Sequence, residues 1–445
     1  MFYVKGNSLF TFTPPALEST AQDTPRTFPS SDKVGFNLER GATMLPLFLA
    51  LSTVLPTCVL FFIILLVPTL MSTTVAAVSL ISTMPTATQP VLPLQLACTP
   101  LTPRPGPPES VRDLRPDDIR VVAGIGDSVM AGFGAKGVQT RFLSPKTLSE
   151  DRGISFAMGG DDGAITIPNL IHYYSHELYG SSVGSQFITV CFGPTFCPDG
   201  QYRPSIGKLN AAQSGARSAN LNHEIDYLVE QLDDAYKAKT IQPTDWKLLT
   251  FFVGSNDLCH SCFVPASMPQ TFSIDVLAAI ERIRMAVPYV LIQVVGMFHI
   301  DQIFVETQAY PKYCHPFPIS TFTLQNEVCG CAHTAENRTI LNDLLPIYNS
   351  ALQSVVTYYK DPKFLSNETF GIFYQPLPAD ISSFPIDAIS NVDCFHPSAI
   401  AHEWISKNLW RNMFLTSAQK PTTPMIFDRN ETIYCPTDAD RIQIT

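Results

Sequence analysis

The sequence predicts an α/β fold, a three-layer α/β/α sandwich with a mostly parallel central sheet. Three observations carry that expectation. Short apolar runs alternate with stretches of helical spacing. A chain of 445 residues, 45% of them hydrophobic, has enough apolar material for a packed core. The small and polar residues able to do chemistry follow directly after the apolar runs, where an open parallel sheet gathers its ligands.

The strand expectations, in order, are "IRVVAGIG" (119–126), "KLNAAQSG" (208–215), "WKLLTFFVG" (246–254), "YVLIQVVGM" (289–297) and "TFGIFYQ" (369–375). Between them, Leu221, Ile225, Leu228, Val229, Leu232 and Tyr236 recur at helical spacing, as do Ile274, Leu277, Ile280, Ile283 and Val287. Ile340, Leu341, Leu344, Tyr348, Leu352, Val355 and Tyr359 make a third apolar face, with a kink expected at Pro346. Ile400, Trp404, Leu409 and Trp410 mark a last helix.

Upstream, residues 1–43 are polar and irregular, and are expected to be a disordered or cytoplasmic segment. Nothing between Arg40 and Arg104 is charged, and residues 44–71 are apolar enough to act as a signal anchor or a signal peptide. Lys33 and Arg40 on its N-terminal side place the remainder outside the cytoplasm, secreted or held by that anchor. Residues 84–110 combine Pro with Thr and read as an extended stalk. A catalytic domain is expected over 111–425, followed by a tail over 426–445. No apolar stretch precedes Thr445, so any attachment is expected at the N-terminal side.

Two features point to an oxidising compartment. Asn337, Asn367 and Asn430 each open an Asn-x-Thr sequon beyond the apolar segment. Of 11 Cys, Cys58 lies within that segment, which leaves ten able to form up to five disulfides of unspecified connectivity. A net charge of −10 without a basic run argues against a nucleic-acid partner.

Four motifs follow the strands or precede the last helix: Gly126-Asp127-Ser128, Ser214-Gly215-Ala216-Arg217, Gly254-Ser255-Asn256-Asp257 and Asp393-Cys394-Phe395-His396. Singly, each reads as turn or cap chemistry. Together they supply a hydroxyl, an imidazole to take its proton, a carboxylate to orient the imidazole and donors for an oxyanion, the parts acyl transfer needs. His172 and His176, at i and i+4, lack the Glu of a zinc-hydrolase helix, and Cys259, Cys262, Cys329 and Cys331 read as disulfides rather than zinc ligands. Ser128 is followed two positions later by Met130, not the Gly of a Gly-x-Ser-x-Gly elbow.

These four blocks resemble those of the GDSL or SGNH hydrolases. "RGISFAMGGD" (152–161), "DWKLLTFFVGSNDLCHSC" (245–262) and "DCFHPSAIAHEWISKNLWRNM" (393–413) are similar to the phospholipase B branch of that superfamily. The resemblance implies a flavodoxin-like sandwich that hydrolyses carboxylic esters of phospholipids and lysophospholipids at a lipid surface or micelle, with no metal, cofactor or obligate protein partner. It implies Ser128 as nucleophile, His396 as general base and Asp393 as its orienting acid. The Ser128 and Gly215 N–H groups and the Asn256 amide would form the oxyanion hole, with Asp127, Gly254 and Asp257 in support. Here the motif reads Gly-Asp-Ser-Val, not Gly-Asp-Ser-Leu, and no second catalytic copy is present, unlike tandem members. A carboxylesterase or carbohydrate acetylesterase on the same triad, and a catalytically silent surface-binding ectodomain, are the alternatives. A histidine base must be neutral, so activity is expected to fall on acidification through about pH 6 to 7, where imidazole ordinarily titrates.

Overall fold

Strand β1 (Ile119–Gly126) lies beside β4 (Trp246–Phe252), then β5 (Val290–Val295) and β6 (Phe370–Gln375), every neighbouring pair parallel. A two-stranded ribbon, β2 (Ser149–Glu150) against β3 (Gln186–Phe187), is separate from this sheet. The computed structural model describes residues 96–138, 146–194, 196–198, 200–263, 268–314 and 324–444. The expected segments 1–43 and 44–71, and residues 84–95, lie outside them. No helix among the described residues is long and apolar enough to cross a membrane.

The four long strands are buried almost throughout, which explains why they read as continuous apolar runs rather than alternating ones. Their few polar side chains pair with one another. The Gln375 amide donates to Gln293 Oε1 at 3.3 Å and to the Leu409 carbonyl at 3.1 Å.

The principal helices are α1 (Ser128–Ala131), α2 (Ile167–His172), α3 (Leu221–Lys237), α4 (Ser255–His260), α5 (Met268–Ala286), α6 (Ile300–Thr307), α7 (Ala335–Tyr358) and α8 (Ala399–Asn412). In one group α3 packs on α5 and α5 on α7, while in another α2 packs on α8, so helices surround the sheet. Thr334 caps α7 by accepting the Asn337 N–H, and that helix runs unbroken through Pro346.

One expected strand is absent. Residues 208–215 lie along the free edge of β1, and the Ala211 and Gln213 N–H groups donate to the Gly124 and Gly126 carbonyls at 2.8 and 3.1 Å. The ladder stops there because its next bond is diverted. The Gly126 N–H donates to Glu224 Oε2 on α3 at 2.9 Å, and the Ala211 carbonyl accepts the Tyr202 hydroxyl at 2.9 Å. A single bridge, Gly124 to Asn210, remains.

Five disulfides join Cys98 to Cys435, Cys191 to Cys197, Cys259 to Cys329, Cys262 to Cys331 and Cys314 to Cys394. Such a set belongs to an extracellular or secretory fold. Residues 96–110 lie on the domain, where the Tyr173 hydroxyl donates to the Cys98 carbonyl at 2.6 Å. Near the other end of the chain, the Ile442 N–H donates to the Leu114 carbonyl at 2.8 Å.

Gly126 is a close-approach glycine. A Cβ there would strike the Phe252 carbonyl oxygen and stand 2.9 Å from Met130 Cβ. Gly126→Ala is therefore expected to lower stability by about 1–3 kcal/mol or more, read as a reduced denaturant midpoint. An unchanged midpoint would show that the strand end yields freely.

Candidate active site

At the end of β1 the chain turns abruptly, and three local features make the turn. Gly126 lets β1 approach β4, Asp127 Oδ1 caps the next turn by accepting the Val129 N–H at 3.0 Å, and Gly132 ends it with φ of 73°. Ser128 is left at the head of that turn, 7% exposed. Asp127 is fully enclosed, and burial pushes its carboxyl up to about 6.

His396 reaches Ser128 from the far end of the domain. Its Nε2 lies 2.6 Å from Ser128 Oγ, and its Nδ1 lies 2.5 Å from Asp393 Oδ2. Asp393 Oδ1 accepts the N–H groups of Phe395 and His396 at 3.0 and 3.1 Å, so acid and base share one tight turn. A carboxylate facing Nδ1 favours the proton there, which leaves Nε2 to accept from the serine hydroxyl.

The turn itself is constrained. Cys394 sits in the left-handed region at φ of 50° and is bonded to Cys314. The Ser390 hydroxyl donates to the Gly134 carbonyl at 2.6 Å, and the Ala399 N–H donates to the Ala135 carbonyl at 2.8 Å. These bonds tie the histidine loop to the segment just after Ser128. The ring edges of Phe133 and Phe395, with centroids 5.0 and 5.1 Å from the imidazole, flank His396.

The Gly215 and Asn256 motifs meet beside this triad through the fold. Gln213 is bonded to the end of β1, and Gly215 follows at φ of 81°, a conformation that glycine tolerates. No hydrogen bond among the described residues takes the Gly215 N–H. Parallel register places Gly126 opposite Phe252, so the turn after β4 lies next to the turn after β1. There Gly254, at φ of 124°, precedes α4, and the Asn256 amide donates to the Ala216 carbonyl at 3.0 Å. Asp257 accepts the Ser218 N–H and hydroxyl at 2.9 and 2.8 Å, and burial pushes its carboxyl up to about 6.

Several supporting residues carried no functional signal in the sequence. Arg152 and Glu150 are enclosed and paired, with Nη2 to Oε2 at 2.7 Å. Arg152 donates to the Asn210 and Ala212 carbonyls, while Glu150 accepts the Ser214 hydroxyl at 2.7 Å, immediately before Gly215. "RGISFAMGGD" contains Arg152, but its role depends on loops roughly 60 residues away.

Other candidates resolve differently. His172 Nε2 contacts the His176 carbonyl at 3.0 Å, and Cys259, Cys262, Cys329 and Cys331 form two disulfides. Cys191, Cys197 and His223 come together, but the two cysteines are bonded to each other.

The family profile for GDSL-like lipases and acylhydrolases matches residues 122–409, which includes all four motifs. The chain belongs to this family. It is similar to "Phospholipase B1, membrane-associated" of Rattus norvegicus, 28% identical over 341 residues, covering 74% of this chain and 22% of the relative. The protein of the same name in Homo sapiens is 27% identical over 354 residues, covering 77% and 22%. The chain thus spans about a fifth of the length of these relatives. Among solved structures it is similar to a GDSL-like lipase of Parabacteroides merdae, with TM-score 0.31, 13% identity and coverage of 66% and 95%. An extracellular lipase of Streptomyces rimosus gives TM-score 0.27, 12% identity and coverage of 63% and 94%. This domain is a member of the GDSL-like lipase and acylhydrolase family, built on a parallel sheet.

The buried acids give a pH signature. Folding raises the pKa of Asp127 and of Asp257 from 3.8 to about 6, so each binds its proton more tightly in the native state. Their contribution is present below about pH 4 and lost as pH rises through about 6, with a slope of about 1.4 kcal/mol per pH unit for each proton. Asp127→Asn retains a capping side chain and is expected to flatten stability against pH by about one proton between pH 4 and 6, measured by urea unfolding. An unchanged slope would remove Asp127 as a source.

Proposed function

We propose that the chain is a serine ester hydrolase of phospholipase B type, releasing fatty acids from glycerophospholipids or lysophospholipids. The observation that carries the reading is the continuous path from Ser128 Oγ through His396 to Asp393, with distances of 2.6 and 2.5 Å. Ser128 Oγ attacks the ester carbonyl as its proton passes to His396 Nε2. Asp393 holds the imidazole orientation and stabilises the imidazolium. The Ser128 and Gly215 N–H groups and the Asn256 amide stabilise the oxyanion. Collapse expels the alcohol, protonated by His396, and water then releases the fatty acid by the same steps reversed. No metal or cofactor enters this scheme.

A lipid ester rather than an acetylated sugar is favoured by the rim of the site. Phe192 and Phe196, inside the loop closed by Cys191 and Cys197, are 39% and 46% exposed, and Phe263 is 64% exposed. Phe192 lies over the Arg217 guanidinium and next to Gly215, and His260 lies between it and Phe263. Such a contiguous aromatic edge suits an acyl chain at a lipid surface. The phospholipase B1 likeness points the same way.

The domain is assigned to the extracellular side, secreted or anchored through residues 44–71. The five disulfides support this, as does the exposed Asn430 sequon, while Asn337 and Asn367 are half-buried.

A fluorophosphonate probe is expected to label wild type and not Ser128→Ala; folded wild type that resists labelling would leave a silent binding domain as the better reading. Asn256→Ala should lower kcat by about 10²–10³-fold. In a release assay, phosphatidylcholine and lysophosphatidylcholine should be cleaved, and activity confined to acetyl esters would defeat the lipid assignment. A base that works only when neutral makes kcat/KM fall on acidification, which a profile between pH 4 and 8 would read.

A further inference from the structure

Behind the nucleophile turn lies an acid that the mechanism does not use. Glu224 occupies the first turn of α3 and is fully enclosed, whereas Asp226 and Glu230 on the same helix are exposed. Its Oε2 accepts the Gly126 N–H at 2.9 Å, two residues before Ser128. A backbone acceptor stood in register for that N–H, the Ala211 carbonyl, but Tyr202 occupies it. The side chain thus does what the strand ladder would otherwise do, and it does so at the nucleophile.

The charges around it decide which form fits. Asp127, in the turn itself, is the acid whose charge acts on it. Arg152, beyond β2, is already bound to Glu150 and to two backbone carbonyls. Tyr202 is stacked on Tyr227 and on His223, and burial raises both tyrosine hydroxyls, so they are neutral near pH 7. Glu224 Oε1 and Asp127 Oδ2 are both buried without a well-formed hydrogen bond among the described residues, although the Gln213 N–H and the Ser255 hydroxyl act on the two carboxyls. Two adjacent, enclosed carboxylates with orphaned oxygens are unfavourable as a doubly charged pair.

We propose that Glu224 is a positioning residue of the nucleophile turn that works as a neutral carboxyl, holding the Gly126 N–H without setting a second negative charge beside Asp127. This rests on Ser128 being the nucleophile. Burial, and then the Asp127 charge, drive the Glu224 carboxyl well above the usual carboxylate range, against the opposing pull of the Gly126 and Gln213 N–H groups and of Arg152. As pH rises through that raised value the group ionises, and its charge opposes the oxyanion forming at Ser128. The rate then falls on the alkaline side.

The test compares pH profiles of kcat and KM for wild type, Glu224→Gln and Glu224→Leu. The amide keeps an acceptor for Gly126 but cannot ionise. Glu224→Gln is expected to stay within about threefold of wild type at pH 7, with the alkaline fall displaced upward by at least one pH unit or lost. Glu224→Leu is expected to lower kcat more than tenfold with little change in KM; should it not fold, the Glu224→Gln profile decides alone. An alkaline fall shared by wild type and Glu224→Gln, or Glu224→Gln as slow as Glu224→Leu, overturns the proposal. A difference infrared spectrum at pH 7 should contain a protonated-carboxyl band that Glu224→Gln deletes, and its absence also overturns the proposal. That band requires no turnover, so it is separable from failure of Ser128 to label, which would sink the hydrolase reading itself.

Discussion

The structure is organised around one contact, the 2.6 Å approach of His396 Nε2 to Ser128 Oγ across 268 residues of sequence. A hydrogen bond between two side chains contributes only about 1 kcal/mol, so it cannot hold these segments together by itself. The surroundings must bring the two groups to that distance. Ser128 is set by the end of β1, by the Asp127 cap and by Gly132, while His396 is set by Asp393, by Cys394 and its bond to Cys314, and by Ser390 reaching Gly134. The triad is thus a product of backbone constraint on both sides.

The same logic governs the second half of the site. Gly215 is held from the side that precedes it, by bonds from Gln213 to the strand end and from Ser214 to Glu150. Asn256 fixes Ala216 and Asp257 fixes Ser218, so one turn after β4 clamps the loop that carries Gly215. Enclosed charges do much of this positioning. A buried pair such as Glu150 and Arg152 adds little net stability, because desolvation offsets the attraction, but it fixes geometry through the bonds it requires.

Much of this was legible in the sequence, for identifiable reasons. β1, β4, β5 and β6 were visible because strands buried on both faces need uninterrupted apolar side chains. Asp393 and His396 stood out because their partnership is local, three residues apart on one turn. Residues 208–215 misled, since a composition suited to a strand says nothing about a glutamate on a helix taking the ladder's bond. Glu224, Glu150 and Arg152 were silent for the same reason: their roles consist of contacts from Glu224 to Gly126, 98 positions away, and from Arg152 to Ala212, 60 away. Disulfide pairing was likewise undetermined by spacing, because it reports which loops meet in space.

The Cys98 to Cys435 bond brings the two ends of the domain to a Cα separation of 5.3 Å. The polypeptide therefore enters and leaves at one point, like a bead hung from a single knot. A unit with that geometry can be joined to a longer chain, or a tether, through that one point. The sheet between Cys98 and Cys435 is mechanically insulated from whatever pulls on those two cysteines, because force applied there runs through the covalent knot.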